Sequence, residues 1–195
     1  MTPDRLFTSA LLALACAAAQ AVPVTVQLRG PGGQPLAGAA LAIEVKGRTG
    51  KATSAKAEIG QRDRHFTPQL LIVQTGTSVS FPNFDTVRHH VYSFSPIKVI
   101  DIKLYSGTPA EPVVFDKPGV AALGCNIHDR MSAHVVVVDT PTFARTDDKG
   151  QASFDLPTGE HTAKAWHAGQ KSPMLQSVRL DVPAAGGVVT LTLAE

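Results

Sequence analysis

The chain has 195 residues, 44% hydrophobic and 17% charged, which is enough apolar content for one domain, or one and a half, with its own core. A formal net charge of +2, with no clustered run of Lys or Arg, gives no electrostatic basis for binding nucleic acid. The 16 Gly and 14 Pro are scattered without period, which excludes collagen-like and low-complexity chains.

Taken in chain order, Arg5 precedes an apolar stretch over residues 6–19 (LFTSALLALACAAA), and Ala19-Gln20-Ala21 gives a small-x-small cleavage pattern. The expectation is a secretory signal peptide over residues 1–21, and hence an exported, periplasmic protein. The bland alternative is a buried N-terminal helix. The apolar run is short for a membrane span, and no later stretch approaches 18 apolar residues, so no spanning helix is expected. Leu14-Ala15-Cys16 is a loose lipobox, so lipoprotein anchoring through Cys16 is an alternative. In either case Cys16 belongs to export and is not free to pair with Cys125. With the leader over residues 1–21 removed, Cys125 is the one cysteine of the mature chain. A lone thiol in an oxidising compartment is either buried and inert, or a ligand or nucleophile.

No stretch of useful length shows helical period. Short strand-like runs follow one another instead: residues 22–28, 40–45, 70–73, 78–81, 91–94, 113–115, 133–138, 152–156, 162–166, 178–182 and 188–193. Gly, Pro and Asp separate them. That spacing reads as all-β, a sandwich or barrel. Composition divides the chain further. Residues 22–54 hold the N-terminal strands and a polar linker at 48–57, residues 55–139 form the apolar, His-bearing middle, and residues 140–195 return to short strands. The flanking segments are expected to build one small sandwich, with the middle inserted in it or packed on it.

The chemistry concentrates in Leu123-Gly-Cys-Asn-Ile-His-Asp-Arg-Met131, with His89 and His90 upstream. A thiolate, two imidazoles and a thioether suit a blue-copper electron-transfer site. Zinc would prefer four strong tetrahedral ligands, and no second cysteine is at hand. Strand alternation sends His89 and His90 to opposite faces, so only one of them can reach a shared metal. Cys125 as an inert core thiol and Met131 as core filler are the bland readings. His65, His134, His161 and His167 have no partners at ligand spacing and read as solvated or hydrogen-bonded strand residues. Trp166 reads as core.

The pattern Phe66-x-Pro68-x-x-Leu71-x-Val73-x-x-Gly76-x-x-Val79-x-Phe81-x-Asn83, then His89-x-Val91, then Cys125-x-x-His128-x-x-Met131, resembles the cupredoxins. The two-residue gap between His128 and Met131 is similar to amicyanin within that plastocyanin-like family. The likeness covers about 85 residues. The whole chain resembles exported plastocyanin-like proteins of methylamine utilization, and its flanks resemble carboxypeptidase-regulatory-like modules. The resemblance implies a cupredoxin Greek-key β-sandwich and one type 1 copper. It implies His89, Cys125, His128 and Met131 as the metal ligands. It also matches Asn83 to an Asn that ties the cysteine loop to the strand before the first His. His90 stands where the family usually has Asn.

The implied function is a non-enzymatic, monomeric carrier of single electrons between redox proteins. A c-type cytochrome and a quinoprotein dehydrogenase are candidate partners, with Pro82, Gly124 and Ile127 as docking-rim candidates. Copper storage or delivery, a copper enzyme, and a non-catalytic envelope-binding module are the competing readings. The 3 Met in the chain count against storage.

Overall fold

The structure is a computed structural model that describes residues 20–48 and 50–194. Cys16 and nearly all of the expected signal peptide lie outside the described residues. The described residues form seventeen strands and no helix, so no helix is long and apolar enough to cross a membrane. In chain order the strands are β1 (Ala21–Arg29), β2 (Ala40–Glu44), β3 (Lys56–Glu58), β4 (Gly60–Arg62), β5 (His65–Thr67) and β6 (Leu70–Gln74). Then come β7 (Thr77–Ser80), β8 (His89–Ser95), β9 (Lys98–Tyr105), β10 (Val113–Phe115), β11 (Gly119–Gly124) and β12 (Ser132–Val138). The last are β13 (Phe143–Arg145), β14 (Gln151–Pro157), β15 (Gly159–Trp166), β16 (Gln176–Val182) and β17 (Gly187–Thr192).

The first sandwich joins the two ends of the chain. Its sheets are β14-β1-β17 and β13-β2-β15-β16. Alternation in β1 turns Val24, Val26 and Leu28 inward. There they meet Leu41 and Ile43 of β2, Ala163 and Ala165 of β15, and Leu180 of β16. The second sandwich lies between these segments in sequence. Its larger sheet runs β6-β12-β11-β8-β9, and its smaller sheet runs β10-β7-β3. The chain leaves the larger sheet after β9, makes β10 across the sandwich, and returns as β11 between β8 and β12. That is a Greek-key crossing rather than a meander. Phe66, Val79, Phe81, Val91, Phe115 and Leu123 fill this second core.

One strand belongs to two cores. The four consecutive valines of β12 are all buried, and alternation divides them. Val135 and Val137 face the second core, whereas Val136 and Val138 face Ala40, Ala42 and Trp166 of the first sandwich. A strand covered on both faces reads as a continuous apolar run, which is what the sequence shows here.

Several strands fall where none was expected. β3 lies at the end of the polar stretch 48–57, and β4, β5 and β13 have only three residues each. β9 alternates but exposes Val99 and Leu104, so its polarity pattern is blurred. β11 is made mostly of small residues with Gly at both ends.

Candidate metal centre

Two loops meet at one end of the second sandwich. Residues 81–88 link β7 to β8, and residues 125–131 link β11 to β12. His89 opens β8 and is fully buried. Cys125 follows β11 and is also buried, whereas His128 sits mid-loop and is partly exposed. The Cys125 amide donates to the Met131 carbonyl at 3.2 Å, and the Met131 amide to the His128 carbonyl at 2.9 Å. These bonds close the seven-residue loop on itself.

The result is a convergent donor set. Cys125 Sγ lies 3.9 Å from His89 Nδ1 and 3.8 Å from His128 Nδ1. All three ligand atoms fall within 4.8 Å of one another. The two imidazole rings are 5.0 Å apart and tilted by 59°. If one metal took Sγ at about 2.3 Å and each nitrogen at about 2.05 Å, these spacings would correspond to S–metal–N angles of roughly 120–130°. The sulfur therefore stands at a suitable distance from each nitrogen for one metal to be shared within this Cys/His/His set. Met131 closes the same loop and is 2% exposed, packed in the core with Cys125. Among the described residues this is the one such group of His, Cys and carboxylates.

His90 turns away. Its Nε2 meets Asp101 Oδ1 at 2.7 Å, and its ring packs edge-on against Tyr92. Hydrogen bonding to the Lys103 ammonium, and then to His90, holds the Asp101 carboxyl below the usual carboxylate range. The register between β8 and β9 slips between His89 and Val91. Even so, the two histidines face opposite sides.

A chain of hydrogen bonds lies behind His89. His89 Nε2 lies 2.7 Å from Asp85 Oδ2. The Asp63 and Arg64 amides donate to Asp85 Oδ1 and Oδ2, at 2.6 and 2.9 Å respectively. Those amides belong to the two-residue turn of the β4–β5 hairpin, where Asp63 and Arg64 hold φ of 54° and 61°. Two successive positive φ values are what a tight hairpin turn requires, and non-glycine residues adopt them at some cost. Burial works against ionising Asp85, but bonds from Arg64, His89 and Asp63 outweigh it and lower its pKa. The only sequence signal was an Asp four residues before His89 and a charged Arg62-Asp63-Arg64 turn.

Asn83 also differs from expectation. Its Nδ2 donates to the Val87 and Tyr105 carbonyls, at 2.9 and 3.0 Å. Its Oδ1 accepts from the Asp85 amide at 2.9 Å. It therefore orders the loop before His89 and joins it to β9, rather than to the Cys125 loop. Beneath lies fully buried Gln61, which donates to the Phe81 carbonyl at 3.1 Å and also bonds the Tyr105 hydroxyl. Burial is the largest influence on the Tyr105 phenol, which is pushed up to about 12 although its hydrogen bond with Gln61 acts the other way.

Of the three rim candidates, Ile127 is 47% exposed, but Pro82 and Gly124 are buried. A Cβ on Gly124 would fall 2.6 Å from the Tyr92 ring, so the missing side chain lets that ring lie against the backbone beside Cys125. The exposed apolar residues on the two site loops are Ile127, Phe84 and Val87. His65, His161 and His167 bond to nearby backbone as expected, whereas His134 lies 4.6 Å from Trp166 between the two sandwiches.

No protein-family model and no curated protein matches the chain. Solved structures are similar to parts of it. A reduced amicyanin variant is 16% identical, with 50% of this chain and 98% of that chain covered and a TM-score of 0.40. A purple cupredoxin from Nitrosopumilus maritimus is 24% identical over 44% of this chain and 100% of its own, at 0.37. A copper-containing nitrite reductase from Thermus scotoductus is 19% identical over 50% of this chain and 25% of its own, at 0.40.

Proposed function

We propose that this protein is a type 1 copper protein that carries single electrons between redox partners. The observation that carries the reading is the convergence of Cys125 Sγ with His89 Nδ1 and His128 Nδ1. Cys125, His89 and His128 would hold the copper as its strong ligands, and Met131 would offer it a weak thioether. One thiolate, two imidazoles and a thioether form the soft and borderline donor set that copper takes in both oxidation states. Copper held there would supply a one-electron couple. The protein's part is to keep the donors still. The loop bonds at Cys125 and Met131, and the burial of His89, oppose rearrangement as charge changes. Partly exposed His128 offers the edge through which a partner is reached. Ile127, Phe84 and Val87 supply an apolar surface for brief docking, of the small, weak kind that electron carriers use.

The same reading takes residues 1–21 as an export signal and the protein as periplasmic. It assigns residues 55–139 to the copper unit, and the flanking segments to a supporting sandwich. Carriage is favoured over storage because one donor cluster, suited to one ion, is found among the described residues.

The test is addition of Cu(II) to the purified protein, with visible spectra and voltammetry. An intense thiolate-to-copper band and reversible one-electron cycling are expected, and Cys125→Ser should abolish the band. A folded, copper-loaded protein without the band would contradict the reading.

A further inference from the structure

We infer that Asp85 is a positioning residue that fixes His89 as an Nδ1 donor and biases a metal at this centre toward its higher oxidation state. The inference rests on the copper reading above and goes a step beyond it.

A carboxylate only accepts hydrogen bonds. The 2.7 Å contact with Asp85 Oδ2 therefore places the His89 proton on Nε2, leaving the Nδ1 lone pair for the metal. An anion behind the ring makes the imidazole more basic, so it stabilises a divalent ion more than a monovalent one. His128 differs. Its Nδ1 lies 3.8 Å from Cys125 Sγ, it is partly exposed, and it makes no hydrogen bond to a carboxylate among the described residues. The two imidazoles at this centre are thus not equivalent.

Asp85 is itself built in. Its two oxygens take the Asp63 and Arg64 amides, and its own amide donates to Asn83 Oδ1. The turn that supplies those amides keeps two non-glycine residues at positive φ. Strain of that kind persists only where the surroundings enforce it, and here it aims both amides at Asp85, whose Oδ2 keeps a second lone pair for His89.

The experiment uses the full protein with Asp85→Asn, reading Cu(II) and Cu(I) affinities by chelator competition and the reduction potential by voltammetry. The amide can still accept from His89 Nε2 but carries no charge. Cu(II) affinity should fall by roughly 10–100-fold, as for other partners of metal-bound histidines. Cu(I) affinity should fall less, and each tenfold gap should raise the potential by about 59 mV. Asp85→Ser is measured alongside in case the amide perturbs folding, and Asp85→Glu should recover part of the wild-type potential. Equal losses of both affinities, or an unchanged potential with only a lowered apo-protein melting temperature, would overturn the inference while leaving the copper reading intact. Failure of the wild-type protein to show the thiolate band would overturn both.

Discussion

At the scale of single residues, the site divides into what a side chain's type announces and what only folding reveals. Cys125, His128 and Met131 share one loop, so their spacing already implies convergence. His89 is separated from Cys125 by 36 positions, and in sequence only the cupredoxin likeness distinguishes it from the adjacent His90. The structure separates them by their partners. His89 faces Cys125 with one nitrogen and Asp85 with the other, whereas His90 faces Asp101 at the surface. Asp85 and Gln61 were not legible as site residues, because neither type is distinctive and both act through contacts made only after the β4–β5 hairpin folds against the 81–85 segment.

At the scale of elements, legibility followed length and contrast. β1 and β14 are legible because buried Val24, Val26 and Leu28, and buried Ala152 and Leu156, are spaced by polar residues along each strand. The three-residue strands have no period to read, and β9 loses its contrast through outward apolar side chains. β12 is the informative case. Both valine pairs are buried, so Val136→Ala and Val137→Ala should each cost about 2 kcal/mol in urea unfolding. Were the Val136 face solvated, that substitution would stay within about 0.5 kcal/mol of wild type while Val137→Ala would not.

At the scale of the molecule, the two sandwiches are joined through the outer face of the five-stranded sheet. Val120, Val136, Val138 and Trp166 form that junction, and His134 lies across the Trp166 ring. Burial holds the His134 imidazole below its ordinary value of 6.5. The unfolded chain therefore takes up this proton first as pH falls. Stability present above pH 6.5 is lost through that value and levels off below the depressed native one. His134→Leu should make the melting temperature less sensitive to acidification between pH 7.5 and 5.5, and an equal loss in both proteins would place the acid sensitivity elsewhere. The two cysteines that the sequence offered separate on this scale too. Cys16 stands in the expected leader, outside the described residues, and Cys125 is buried as a free thiol beside two imidazoles.

The most direct test of the account is X-ray absorption at the copper edge of the Cu(II)-loaded protein. One sulfur and two imidazole nitrogens should occupy the first shell, and the sulfur should vanish from it in Cys125→Ser. A shell of nitrogen and oxygen alone in the wild-type protein would contradict the account.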